Sequence, residues 1–231
     1  MKKLPLLYLP WMVKDLARGP LALLGGFLVL AALFPKINGA PPELIWKIFP
    51  YLLEAACFLA TVLLTRSIVN RDLRRGYYRL YFSRPVHPAA YYLLRWSLGL
   101  AAVLVFAGLF TGIAMWKYEL ALPFPHYAPY VALQYLVLGG LITLLSVYLP
   151  EDAGAALVLA AFGAYYYSAL EPGLLFRLFG PLLPPMFLCR PSTGGQYGAE
   201  HWLALVYGLA ALAAAGAALQ LKYFGESGRG D

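Results

Sequence analysis

Acidic residues are scarce in this chain: 11 Asp and Glu stand among 231 positions against 18 Lys and Arg, and charge of either sign makes up only 13%. A soluble domain carries about a quarter of its residues as charge, so a chain this poor in it cannot wrap itself in an ordinary polar shell. Histidine is scarcer still. His87, His126 and His201 fall in three separate connections, which excludes an HExxH pair or any His cluster, and no metal site is expected. Cys57 and Cys189 share no metal-like or CxxC spacing, and both read as small apolar packing residues. The chain also lacks a GxSxG elbow, a pair of acids at comparable depth in two apolar runs, and a GxxxxGK[ST] loop. The first two absences argue against an enzyme acting on lipid within the membrane. The third means that the chain cannot hydrolyse ATP by P-loop chemistry on its own.

What is abundant is apolar: 61% of the residues are hydrophobic. A bilayer core about 30 Å thick takes about 20 apolar residues per helical crossing, so the length allows roughly six crossings with short connections. Windows of low charge place these spans at 20–34, 48–69, 90–116, 129–149, 153–170 and 202–221. The fold expected is an all-α integral membrane protein forming a single transmembrane domain over 1–231. No small-residue cleavage site follows the first run, which is therefore expected to be retained. Ahead of it, about 4–18, Leu6, Leu7, Leu9, Met12, Val13 and Leu16 alternate with Lys14, Asp15 and Arg18, the pattern of a helix lying in the membrane interface. The closing GESGRGD reads as a disordered end.

The net charge of +7 is explained by topology rather than by nucleic acid. With the N-terminus inside, thirteen Lys and Arg fall on the cytoplasmic side and five outside, which favours a multi-pass protein of the cytoplasmic (cell inner) membrane with both termini cytoplasmic. Trp46, Trp116, Tyr118, Tyr130 and Trp202 then form an outer aromatic belt, and Trp11, Tyr91, Tyr92, Trp96, Tyr148 and Tyr223 an inner one.

Two connections are long. The outer one, about 171–200, begins apolar but Pro-broken and ends in a Pro, Ser, Thr and Gly cluster, the pattern of a re-entrant or surface-lying helix pair. The cytoplasmic one, about 70–88, holds most of a run of six arginines between Arg66 and Arg84. A short helix there would be capped by Asn70 or Asp72 and stopped before Pro85. It would present Tyr77, Tyr78, Tyr81 and Phe82 beside Arg74, Arg75, Arg79 and Arg84, and aromatic and Arg side chains are those most enriched in interface hot spots. Gly76 permits close backbone approach. Within the spans, Glu54 is the one carboxylate, a candidate for the substrate path or for snorkelling toward Lys47. Tyr165, Tyr166 and Tyr167 cover nearly every face of the fifth span, either along that path or as an interfacial belt.

Asp72, Gly76, Leu80, Ser83, Arg84, Pro85 and Val86 resemble the cytoplasmic loop of ABC-2-type permeases. In that family an acidic residue, a Gly, an apolar turn and a Ser-x-Pro-Val ending form the coupling helix between the second and third spans. Tyr77, Tyr78, Arg79, Tyr81 and Phe82 depart from the small, acidic or aliphatic residues usual there. The compact size and the early Phe34–Pro35 element are also similar to haem exporter B proteins, although no haem-ligating motif is present. The resemblance implies an exporter permease that works beside a second permease copy or a homologous one, with two copies of a separate P-loop ATPase. ATP and Mg would reside on the ATPase, and this chain would bind no cofactor. The alternative reading is a non-transporting membrane anchor or scaffold that recruits a cytoplasmic partner through its basic loop.

Overall fold

The protein is described here by a computed structural model that covers residues 8–33, 41–66, 68–74, 87–169, 183–189 and 199–227. Among them there is no strand. The elements are α1 (Leu9–Arg18), α2 (Pro20–Leu33), α3 (Pro42–Thr65), α4 (Asn70–Arg74), α5 (Pro88–Tyr118), α6 (Phe124–Tyr148), α7 (Asp152–Ala169), a 3₁₀ turn (Met186–Cys189) and α8 (Ala199–Ser227).

Proline sets where several of these helices begin. α1, α3, α5 and α6 each carry Pro in the first two positions, where its missing N–H would have had no intrahelical partner and its fixed φ already suits the helix. This explains why α3 starts at Pro42 and α6 at Phe124, several residues ahead of the expected spans at 48 and 129. Similarly, α8 continues through Gly225 to Ser227, so the first residues of the expected disordered tail are helical.

Four helices are long and apolar enough to cross a membrane: Pro42–Asp72, Pro88–Tyr118, Phe124–Tyr148 and His201–Lys222. A fifth is reached if Leu9–Arg18 and Pro20–Leu33, bent by 46° at Gly19, count as one. α7 is apolar but shorter over its described side chains, Asp152–Ala164. The bend separates an amphipathic α1, which buries Met12 and Leu16, from an apolar α2.

α6 is the central helix. It packs against α8, α3, α7 and α5 and buries residues on every face. Its contact with α8 is close because both sides are glycine: a Cβ on Gly208 would lie 2.9 Å from the Leu136 carbonyl, and one on Gly140 would lie 3.0 Å from the Gly208 carbonyl. Small residues are the usual means by which helices in lipid bring their backbones together. Threonine hydroxyls inside the bundle donate to carbonyls one turn back, as in Thr61 to Cys57 at 2.8 Å and Thr143 to Gly139 at 2.6 Å, so these polar groups are satisfied without water.

Tyr91, Tyr92, Trp96 and Tyr130, expected near the membrane interfaces, are buried within the protein. Trp116, Trp202 and Tyr148 are 74%, 66% and 65% exposed and remain available to an interface. The difference follows from helix rotation, which hydropathy windows do not report. Tyr91 and Tyr92 meet edge to face at 5.1 Å, and the Trp96 ring lies 4.9 Å from that of Tyr135.

Candidate functional site

The polar residues of the bundle concentrate at the end where α1, α4, the start of α5 and the close of α6 meet, beneath the root of the 70–88 connection. Arg95, two turns into α5, is buried to 7% exposure, and Asp72 on α4 is fully buried. Arg95 Nη1 donates to Asp72 Oδ2 at 3.2 Å and to the Ile68 carbonyl at 3.3 Å, while Nη2 donates to Asp15 Oδ2 at 2.9 Å. Arg71 Nη2 donates to the same Asp15 oxygen. Two carboxylates and two guanidinium groups from α1, α4 and α5 thus form one network that balances its own charge. Burying ions costs several kcal/mol each unless they are paired and hydrogen-bonded, and the planar fork of arginine meets two carboxylates and a carbonyl at once.

A second tie comes from α6. Ser146 Oγ accepts from the Val69 amide at 3.1 Å and the Asn70 amide at 3.0 Å, and Asn70 Nδ2 donates to the Leu149 carbonyl at 2.6 Å. The capping role expected of Asn70 or Asp72 is therefore filled by Ser146, because both of those side chains are turned to other partners. Lys222 Nζ of α8 donates to the Val147 carbonyl at 2.8 Å, closing the C-terminal end of α6, where a cation also suits the helix dipole. Four helices and the C-terminal α8 are hydrogen-bonded together within this one layer.

From the sequence, Asp72 is expected as a cap and as one of the coupling-loop residues. Its burial makes it an internal anchor of the loop instead, since a carboxylate enclosed by Arg95 presents no surface to another protein. Arg74 ends α4, its side chain lying outside the described residues. Arg75, Gly76, Tyr77, Tyr78, Arg79, Tyr81, Phe82, Arg84 and Pro85 all lie outside them as well. Tyr165, Tyr166 and Tyr167 are helical residues of α7 whose side chains are not described, and of the outer connection only 183–189 and 199–200 are.

Glu54 is the thirteenth of the 24 residues of α3, about 18 Å from its start at 1.5 Å per residue. It therefore sits near the middle of the helix. Its backbone carbonyl accepts from Gln134 Nε2 of α6 at 3.2 Å, and its half-buried side chain lines a cavity beside α7.

Arg95, Asp15 and Ser146 were missed as site residues. The one available signal was Arg95, a charge inside an otherwise apolar run, which was counted only toward the cytoplasmic excess. Its partners stand 23 and 80 residues away, a pairing that no local pattern encodes. Among the described residues no group of three or more His, Cys, Asp or Glu could hold a metal ion.

No family model, curated protein or solved structure matches the chain.

Proposed function

We propose that this chain is the transmembrane permease subunit of an ATP-driven exporter, coupled to a separate P-loop ATPase through the 70–88 connection. In this reading α2, α3, α5, α6, α7 and α8 supply six crossings, α1 lies in the cytoplasmic interface, and both termini are cytoplasmic. Two permease subunits would work with two ATPase copies in the cytoplasmic membrane.

The observation that carries the reading is the anchoring of the loop root. A loop that passes mechanical work from a soluble motor must be stiffly joined to more than one span, or its motion would dissipate locally. The root at Ile68–Asp72 is joined to α1 by the Arg71–Asp15 pair, to α5 by Arg95, and to α6 by Ser146 and Leu149. Displacing α4 would therefore move three helices together. The loop beyond it carries the aromatic and arginine residues suited to insertion in a partner's groove, and in this reading a chain without a P-loop would draw on ATP hydrolysed by another protein.

Purification of the full chain from membranes of its native host tests this directly. An ATPase carrying a GxxxxGK[ST] loop should co-purify, and Tyr81→Ala with Arg75→Glu should release it while leaving the membrane domain inserted. Co-purification of a partner without a P-loop would support the scaffold reading instead. Undiminished ATPase recovery with the double variant would overturn the coupling assignment.

A further inference from the structure

A cavity of about 410 Å³ opens beside Glu54, within the range of roughly 300–1,000 Å³ that small-molecule sites occupy. Its walls come from α3, α7 and the Met186–Cys189 turn. Phe58 follows Glu54 by one turn on α3, Leu157, Ala160 and Ala164 line it from α7, and Met186 lines it from the turn. The space exists because α7 turns alanines toward it, since larger aliphatic side chains at those positions would fill it. Among the described residues of its walls Glu54 is the one ionisable group, at the middle of a helix whose neighbouring turns are apolar.

These walls discriminate between ligand classes. An anion would be repelled by the carboxylate in surroundings of low dielectric. A hydrated metal ion needs several oxygen ligands, and the described walls offer one carboxylate. A neutral lipid chain would match the walls but give the carboxylate nothing. A hydrophobic organic cation answers both features, with its apolar body against Leu157, Ala160 and Met186 and its charge between Glu54 and the ring of Phe58, where cation–π attraction adds to the ion pair.

We propose that this cavity binds hydrophobic organic monocations, such as lipophilic amines or quaternary onium compounds, with Glu54 as the counter-charge. The carboxylate is not idle in the protein, so the ligand's cation exchanges with its existing interactions rather than filling a vacancy. Such a ligand can enter an apolar site because its shielded charge tolerates hydrocarbon better than a compact ammonium does. As a substrate class the inference rests on the exporter reading; as a binding site it stands apart from it.

The test is equilibrium binding of tetraphenylphosphonium to the full chain in lipid nanodiscs, with empty nanodiscs subtracted and neither nucleotide nor ATPase present. Saturable binding at one site is expected. Glu54→Gln should weaken it tenfold or more, Ala160→Leu should abolish it by filling the cavity, and tetraphenylborate, of the same shape and opposite charge, should not displace the cation. Absence of saturable binding overturns the proposal, as does wild-type affinity in both variants. Ala160→Leu keeps the test decisive if Glu54→Gln fails to fold. Binding in the absence of any co-purifying ATPase would uphold the site and remove the exporter reading, and the reverse result would separate them the other way.

Discussion

Arg95 holds Asp72 across a 3.2 Å hydrogen bond in which both side chains are shut off from solvent, at 8% and 0% exposure. The bond fastens α5 to the first turn of the connection that precedes it. Its position fixes the base of the connection, because Asp72 on α4 is held by a guanidinium two turns into α5.

Removing Arg95 should therefore be among the most damaging single changes in the protein. Arg95→Ala leaves Asp72 buried without its main counter-charge and should cost about 3–5 kcal/mol, read as a large loss of thermal stability in detergent. Arg95→Met combined with Asp72→Leu should restore most of it, since two apolar residues need no pairing. A double variant no more stable than Arg95→Ala would show that the network matters for something other than charge balance.

Ser146 is expected to govern the stiffness of the loop root. Ser146→Ala removes the acceptor for two amides, each such bond contributing about 1 kcal/mol. Hydrogen exchange at Val69 and Asn70 should then accelerate by at least tenfold, while exchange in the body of α5 stays as it was. Unchanged protection at those two amides would disprove the stapling role.

Gly99 and Tyr135 should be strongly coupled. Tyr135 donates its hydroxyl to the Trp96 carbonyl at 2.9 Å, and a Cβ added at Gly99 would collide with that hydroxyl and lie 3.3 Å from the ring carbon bearing it. Gly99→Ala should destabilise the wild type and be better tolerated in a Tyr135→Phe background, where the colliding oxygen is gone. Additive effects on melting temperature would contradict this geometry.

Topology can be tested with single cysteines at Asn38 and Ser227 after Cys57 and Cys189 are replaced. With six crossings and the basic excess inside, a membrane-impermeant reagent should label position 38 from outside intact cells and position 227 only after lysis. Labelling of both from one side would require a different number of crossings.

The coarse fold was legible because lipid simplifies the problem. Every backbone group must be satisfied within its own segment, so apolar runs such as 90–116 and 202–221 become helices whatever surrounds them, and the structure places Pro88–Tyr118 and Ala199–Ser227 there. Charge scarcity, the absent P-loop and the amphipathic stretch before Gly19 were equally local facts. Helix ends were less legible, since Pro42 and Pro125 look like breakers in a hydropathy window yet serve as first-turn residues in the structure.

The candidate site divides in the same way. The sequence alone determined that the second and third long apolar stretches enclose a basic, aromatic connection, and that one carboxylate, Glu54, lies within a span. Only tertiary structure decided that Asp72 points inward to Arg95, that Asp15 arrives from α1 to share that guanidinium, and that Ser146 caps a helix more than seventy residues upstream. Hydropathy reports how deep a residue sits along its helix axis, whereas pairing depends on rotation about that axis and on which helices are neighbours. Those are set by long-range packing, here by the glycine contact of α6 with α8 and the central position of α6.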